Sequence, residues 1–140
     1  MALERTLFII KPDATARGLT GKILAHVEDR GFRIVEGRFT RLTREQCQEF
    51  YAEHNGKPFF GELVDTMTSG PVLLTCLERD HAVSTLRETI GATDPAQAEP
   101  GTIRKLYAES KGRNSVHASD SPASAEREVK LFFGVAALTH

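Results

Sequence analysis

Residues 6–13 of this 140-residue chain read TLFIIKPD. A short apolar run that stops at Lys, Pro and Asp is typical of a buried strand that ends in a turn. After Gly18, apolar residues recur at helical spacing until Gly31, and a second apolar run around Ile34 follows. The opening of the chain therefore predicts a strand, a helix and a second strand that extends towards Phe39.

Capping residues predict three further helices. Thr43, with Gln46 three residues later, has the pattern of a capping box for a helix that reaches about His54. Asp80 precedes helically spaced apolar residues and is predicted to cap that helix. Ser121 is followed by proline, which favours a helix start at this point.

Apolar patterning adds two short helices, over residues 60–67 and 103–108, and two strands, over residues 72–77 and 115–118. The segment 91–101 contains two prolines and predicts a loop that is long for a compact domain, as functional loops often are. The order of elements resembles the split β-α-β, ferredoxin-like arrangement. We therefore predict an α+β fold, an antiparallel βαββαβ sheet with helices packed on it, in one domain over residues 1–140.

Composition restricts the classes of function. Apolar residues make up 40% and charged residues 26%, and the net charge of −1 argues against a dedicated nucleic-acid or membrane-surface binder. Cys47 and Cys76 form no CxxC pair, so we expect neither a zinc site nor a disulfide framework. No signal-peptide or membrane-spanning pattern is present, which with the two thiols predicts a cytoplasmic protein.

The heptapeptide NSVHASD, residues 114–120, contains the strongest candidate for covalent chemistry. Strand alternation predicts that Ser115 and His117 share a face, and the small neighbours leave the imidazole accessible. A neutral imidazole is a nucleophile near pH 7, and its attack on phosphorus would give a phosphohistidine. Glu128 on the following helix is a candidate to fix the histidine tautomer. The alternative is a polar histidine in a turn whose neighbours act as caps.

Three basic residues could neutralise a transferred phosphoryl group: Lys11, Arg87 and Arg104. Each taken alone fits a solvated surface charge better than a phosphate ligand. Thr93 could add a hydroxyl donor from the loop. Neither a GxxxxGK[ST] sequence nor the protein-kinase motifs occur in the chain, so phosphate transfer would need another architecture, and a histidine nucleophile would supply one.

Aromatic residues near the middle of the chain are candidates for contact with a nucleobase. Phe59 could stack on a base or belong to the core, whereas Phe60 fits the core better. Tyr51 could be a buried helix residue or a hydroxyl donor near the site.

Together these motifs resemble the nucleoside diphosphate kinase family, from about Glu4 to Phe133. Seven markers occur in the order and at the spacing of that family: IIKPD (9–13), FY (50–51), KPFF (57–60), MTSGPV (67–72), GATDP (91–95), PGTIR (100–104) and NSVHASD (114–120).

The resemblance implies a ping-pong enzyme in which a nucleoside triphosphate phosphorylates His117 at its pros nitrogen and a diphosphate then takes the phosphate. It also implies a role for each of the matching residues. Glu128 would orient His117, and Ser119 would support the site. Lys11 and Asn114 would bind the ribose hydroxyls, and Arg87, Thr93 and Arg104 would bind the phosphates. Tyr51 would bind phosphate or sugar, and Phe59 would stack on the base.

The same resemblance implies Mg²⁺ as the cofactor, held mainly by the nucleotide's phosphates rather than by protein side chains. The implied partners are nucleoside di- and triphosphates and further copies of the chain, in a homotetramer or homohexamer. Weak base selectivity, no membrane association and no dedicated nucleic-acid binding are expected.

Five residues, at three places in the chain, depart from the family pattern. Ala118 follows the histidine where glycine is usual, and we expect activity to survive the added methyl group. Residues 105–107 read KLY where glycine, an acidic residue and Phe are usual. Lys111 stands where a small apolar residue usually packs beside the base. The alkyl stem of Lys111 could still cover the ring of the base.

Two other functions remain open at the level of sequence. A histidine-dependent phosphotransferase that acts on proteins would use the same His117. A ferredoxin-like regulatory module without catalysis would be expected to lack His117 or the phosphate-binding set, and both are present.

Overall fold

A computed structural model of the protein describes residues 3–138. Strands and α-helices alternate along this part of the chain: β1 (Leu3–Ile10), α1 (Pro12–Thr15), α2 (Thr20–Asp29), β2 (Arg33–Thr40), α3 (Arg44–Phe50), α4 (Phe60–Thr68), β3 (Val72–Asp80), α5 (Ala82–Ile90), α6 (Ile103–Tyr107), β4 (Val116–Ala118) and α7 (Pro122–Phe133). Short 3₁₀ segments lie at Ala52–His54, Pro95–Gln97 and Val135–Leu138.

The four strands form one antiparallel sheet in the order β2-β3-β1-β4. The central strand β1 pairs with β3 along its whole length and with β4 through its last three residues. The predicted α+β, ferredoxin-like fold is therefore confirmed. The short β4 is held at the end of β1 where Lys11 follows, so residues about 100 positions apart in sequence become neighbours.

Both faces of the sheet are covered by helices, which explains why β1 is a continuous apolar run. Leu7 and Ile9 belong to a core cluster that includes residues of α3, α4 and α7. Phe8 and Ile10 belong to a second cluster that includes residues of α2, α5 and α6. His117 is paired with Ile9, and paired residues on adjacent strands point to the same face, so His117 faces α3 and α7.

The helix starts at Thr43 and Ser121 are confirmed by their capping contacts. The Thr43 hydroxyl accepts the amide of Gln46, whose side chain accepts the amide of Thr43. The Ser121 hydroxyl accepts the amide of Ser124. Two other local predictions need adjustment, because α1 replaces the predicted turn after Lys11 and α3 ends at Phe50 before a 3₁₀ turn that reaches His54.

The predicted cap at Asp80 is wrong. Strand β3 continues to Asp80, which pairs with Leu3, and His81 precedes α5 without a side-chain cap. The amide of Val83 in the first turn of α5 instead donates to Glu4 Oε1 on the neighbouring strand β1. Because Asp80 belongs to β3, it does not cap α5, and the Glu4 side chain of β1 accepts the amide of Val83 in the first turn of α5 instead.

The predicted strand over residues 115–118 begins one residue later. Ser115 has φ = 75°, in the left-handed region, so the alternation argument does not extend to it. Within the described part of the chain, none of the helices combines the length and the apolar character needed to cross a membrane.

Candidate active site

His117 lies in the middle of β4 and is held by contacts on two sides. Its Nε2 is 3.0 Å from Oε1 of Glu128, and its ring packs edge-on against Phe50 of α3, with centroids 4.9 Å apart. A carboxylate can only accept, so Nε2 carries the proton and Nδ1 keeps its lone pair. Nδ1 makes no hydrogen bond within residues 3–138.

Glu128 is itself fixed from a second direction. The Ser119 hydroxyl donates to the same Oε1 at 2.7 Å, and Arg127 lies 3.5 Å from Oε2. Glu128 is buried, whereas 22% of the His117 side chain remains accessible. The carboxylate therefore acts as a rigid support behind an imidazole that is open to one side.

Electrostatics keep His117 neutral. Burial lowers the pKa of His117 from its usual value, the hydrogen bond and charge of Glu128 oppose this effect, and Lys11 and Arg104 lower the pKa further. At pH 7 the imidazole is thus mostly unprotonated, which is the form that can act as a nucleophile.

Arg104, in the first turn of α6, is buried and directed towards β4. Its guanidinium donates to the carbonyl of Gly91 at 3.1 Å and to that of Val116 at 2.9 Å, while Nε has no hydrogen-bond partner among residues 3–138. Burial and the nearby Arg87 lower the pKa of Arg104 to about 10, so it stays cationic at neutral pH. Arg87 on α5 completes this side of the site and donates to the Ala118 carbonyl at 3.4 Å.

Lys11 and Asn114 form a buried pair at the edge of the site. Lys11 Nζ donates to Oδ1 of Asn114 at 2.9 Å, and the Asn114 amide approaches the carbonyl of Thr93 at 3.4 Å. Burial and the charge of Arg104 lower the pKa of Lys11 to about 8, against an opposing effect of Asp13. Lys11, Arg87 and Arg104 therefore converge on one region next to His117.

A single cavity of about 700 Å³ contains this cluster. Nine of the ten residues predicted from the sequence line it, and the tenth, Ser119, lies behind Glu128. The nine are Lys11, Tyr51, Phe59, Arg87, Thr93, Arg104, Asn114, His117 and Glu128. A cavity with one nucleophile, several cations and one accessible aromatic fits a ligand that carries both a polyphosphate and a flat ring.

The aromatic end of the cavity is formed by the segment between α3 and α4. Phe59 is 45% exposed, and its ring lies 5.5 Å from the ring of His54. Tyr51 is buried against Phe50, with ring centroids 4.8 Å apart. Burial raises the pKa of Tyr51, so its hydroxyl keeps its proton and can donate a hydrogen bond.

The phosphate end of the cavity offers cations rather than a cage for a metal ion. Among residues 3–138, no group of three or more His, Cys, Asp or Glu side chains is arranged to hold a metal. Asp120 is an exposed carboxylate in the lining. These residues fit a divalent cation that arrives with the phosphates of a nucleotide.

The family profile described as nucleoside diphosphate kinase matches residues 4–138. The chain belongs to the nucleoside diphosphate kinase family. Members of this family are phosphotransferases. The nucleoside diphosphate kinase of Bradyrhizobium diazoefficiens is 56% identical over 133 residues, or 95% of each chain, and that of Hyphomonas neptunium is 54% identical over 140 residues, the whole of each chain.

Solved nucleoside diphosphate kinases have the same fold. The Aquifex aeolicus enzyme superposes with a TM-score of 0.94 at 44% identity, covering 99% of this chain and 100% of that one. The Halobacterium salinarum enzyme, solved in complex with CDP, gives 0.92 at 43% identity, covering 98% of this chain and 91% of that one.

The positions that depart from the nucleoside diphosphate kinase pattern lie around the cavity in different ways. Ala118 and Lys111 line it. The Ala118 side chain is buried in the core on the opposite side of the sheet from His117, so its methyl group occupies packed space. Lys105 and Leu106 are exposed and absent from the lining, which separates them from the predicted chemistry.

Sequence reasoning missed two contributors to the site. Phe50 was predicted only as a helix residue, and Asp13 only as part of a turn. Phe50 packs on the His117 ring, and Asp13 accepts the Ser115 amide directly before β4. Both residues lie in motifs that resemble the family pattern, FY (50–51) and IIKPD (9–13), and this was the available signal. The contacts themselves depend on the pairing of distant segments, so the sequence assigned neither residue a role.

Proposed function

We propose that this protein transfers the terminal phosphate of a nucleoside triphosphate to a nucleoside diphosphate through a phosphohistidine at His117. The observation that carries the proposal is the 3.0 Å contact from Glu128 to Nε2 of His117, which leaves Nδ1 as the basic nitrogen in a cavity whose lining includes Arg87, Arg104 and Lys11. Membership in a family of phosphotransferases supports the same reaction.

In the first half-reaction, Nδ1 attacks the terminal phosphorus while the bond from that phosphorus to the bridging oxygen breaks. The nucleoside diphosphate leaves with the electron pair of that bond, and His117 carries the phosphoryl group. Glu128 stabilises the positive charge that develops on the ring, because its carboxylate accepts the hydrogen bond from Nε2–H. In the second half-reaction, a terminal oxygen of another diphosphate takes the phosphoryl group and Nδ1 regains its lone pair.

The cations provide most of the remaining catalysis. Phosphoryl transfer needs little covalent assistance and depends on positioning and charge neutralisation. We assign Arg87, Arg104 and the Thr93 hydroxyl to the phosphates, and Lys11 and Asn114 to the ribose hydroxyls. Arg104 is already fixed by two backbone carbonyls, so little reorganisation is needed when the charge moves.

Magnesium enters this proposal as a partner of the nucleotide. When bound to the phosphates it neutralises part of their charge and fixes their geometry. The protein's own residues then bind the remaining phosphate oxygens and exclude water from His117. The lack of a carboxylate cage in residues 3–138 is compatible with this arrangement.

At the other end of the cavity, Phe59 is proposed to stack on the base and Tyr51 to donate to the phosphate or sugar. Stacking reads the face of a base rather than its edge, so base selectivity is expected to be weak. The complex of the Halobacterium salinarum relative with CDP supports a nucleotide as the ligand. We further propose that the protein is a homotetramer or homohexamer, which sedimentation of the purified protein would test. We also propose that it is cytoplasmic.

The decisive experiment is intact-protein mass spectrometry after brief incubation with ATP and Mg²⁺, followed by addition of GDP. We expect a gain of one acid-labile phosphoryl group that GDP removes. His117→Ala should abolish this gain, whereas His81→Ala, which changes a histidine outside the cavity, should retain it.

A wild-type protein that binds nucleotide without gaining mass would contradict the phosphohistidine mechanism. Full turnover in the His117→Ala variant would also do so. Calorimetric binding of ADP to both proteins separates a loss of chemistry from a loss of fold, since the binding residues are intact in both.

A further inference from the structure

Asp13, the second residue of α1, is buried next to the cavity and does not line it. Its side chain is 4% exposed, and Oδ2 accepts the backbone amide of Ser115 at 2.9 Å. The carbonyl of Ser115 in turn accepts the amide of Lys11 at 2.9 Å. The junction between β1 and α1 therefore holds both peptide groups of one residue in the segment that leads into β4.

The held residue has a backbone that requires support. Ser115 has φ = 75°, in the left-handed region that is disfavoured for a residue with a side chain. Asn114 directly precedes it, and its Oδ1 accepts Nζ of Lys11 at 2.9 Å. If the turn relaxed, Asn114 would lose its alignment with Lys11, and β4 would begin in a different direction.

Asp13 also occupies a distinct electrostatic position. Lys11 is buried beside Arg104 of α6, and both effects lower the pKa of Lys11, while the negative charge of Asp13 raises it. From the other elements, His117 of β4 and Arg87 of α5 line the same cavity. Glu128 of α7 lines it as well, but that carboxylate is engaged by His117 and Ser119.

We propose that Asp13 is a positioning residue of the nucleotide site, which holds the left-handed turn that presents Asn114 to Lys11 and offsets the positive charge packed around Lys11. The inference rests on the proposed function, because it assigns a support to residues proposed to bind nucleotide. If Asp13 only stabilised the start of α1, its loss would lower stability and leave nucleotide affinity and its pH dependence unchanged.

Two variants separate the two contributions of Asp13. Asp13→Asn keeps an oxygen that can accept the Ser115 amide and removes the charge, whereas Asp13→Ala removes both. Asp29→Asn, at the exposed end of α2, is the control for loss of one negative charge far from the site. The dissociation constant of ADP is measured by calorimetry between pH 6.5 and 9.5, together with KM and kcat.

Without Asp13, Lys11 should lose its proton at lower pH. We therefore expect Asp13→Asn to shift the alkaline loss of ADP affinity by about half a pH unit or more towards lower pH. Asp13→Ala should in addition weaken ADP binding roughly tenfold at pH 7, mainly as a rise in KM. Asp29→Asn should match the wild type.

An unshifted alkaline limb in Asp13→Asn would overturn the electrostatic role of Asp13, even if Asp13→Ala failed to fold. Wild-type ADP affinity in a folded Asp13→Ala variant would overturn its role in holding the turn. The measurement is independent of the chemical step. If the wild type forms no phosphohistidine, the proposed mechanism fails, but the comparison of ADP affinities still decides whether Asp13 positions the site.

Discussion

The proton balance of a few side chains determines what this site can do at a given pH. His117 is neutral at pH 7 because burial lowers its pKa, and Lys11 is close to losing its charge because burial and Arg104 lower its pKa to about 8. The nucleophile must be unprotonated and Lys11 protonated. Both conditions hold only in a window between the two pKa values.

The first prediction concerns this window. Because the pKa of His117 is lowered, kcat/KM should fall only at a pH below the usual range for histidine, as His117 is protonated; it should fall again above about pH 8 as Lys11 loses its charge. Steady-state kinetics between pH 5 and 10 provide the measurement. The residual activity of Lys11→Met should lack the alkaline limb, and an alkaline limb that persists in this variant would assign it to another group.

The Arg104 guanidinium is expected to contribute strongly to the rate of phosphate transfer. Arg104→Ala should lower kcat/KM by roughly 100-fold or more, because a guanidinium fixed in advance is lost from the transferred phosphate. Lys105→Ala, which truncates the exposed neighbour on α6, is the matched control and should remain near wild type. Wild-type rates for Arg104→Ala would remove Arg104 from the site.

Among the secondary-structure elements, α5, α6 and the loop between them bring Arg87, Thr93 and Arg104 to one side of the cavity. The loop begins at Gly91, with φ = 88°, and its carbonyl accepts the Arg104 guanidinium. A Cβ at Gly91 would lie 2.6 Å from Oγ1 of Thr102, the N-cap of α6. The end of α5 and the start of α6 therefore meet at a position where only glycine fits.

Gly91→Ala tests this contact between elements. Gly134 ends α7 with a similar φ of 85°, but a Cβ there would meet nothing within 4 Å, so Gly134→Ala carries the same backbone strain without the overlap. We expect Gly91→Ala to lower the free energy of unfolding by about 1–3 kcal/mol more than Gly134→Ala does. Chemical denaturation measures both. Equal losses would mean that α6 moves away without cost.

In the molecule as a whole, the sheet buries apolar residues on both faces, and the cavity of about 700 Å³ lies at the end of β1 and β4. Helices from both layers contribute to its lining, α3, α4 and α7 from one side and α5 and α6 from the other. A ligand in this cavity would connect both layers to the sheet, so its binding should stabilise the entire domain.

Thermal unfolding with and without ligand measures this coupling. An ADP concentration of 100 times its dissociation constant should stabilise the protein by about 2.7 kcal/mol. GDP should act similarly because stacking tolerates either base. Adenosine at the same concentration as ADP should stabilise the protein much less, since the cations then have no phosphate to bind. Equal stabilisation by adenosine at that concentration would contradict the assignment of the cationic region to phosphate.

The sequence by itself predicted every strand and α-helix except α1, the caps at Thr43 and Ser121, and nine residues that line one cavity. These features depend on local periodicity, on capping chemistry and on motifs whose residue types carry their own chemistry. A continuous apolar run predicts a buried strand but does not indicate which strands pair with it. The position of β1 could therefore be predicted from the sequence, whereas the order of strands in the sheet could be inferred only by analogy with the ferredoxin-like fold.

Only the tertiary structure decided which contacts orient the site. Register places His117 opposite Ile9 and therefore beside Phe50 and Glu128, and it brings Lys11 to Asn114. The cap of α5 comes from another strand for the same reason, so Asp80 was the wrong residue. Lys11 and Asn114 are 103 residues apart and Glu4 and Val83 are 79 apart, whereas His117 and Glu128 are only 11 apart but lie on different elements. The geometry of all these contacts depends on the packing of the entire sheet.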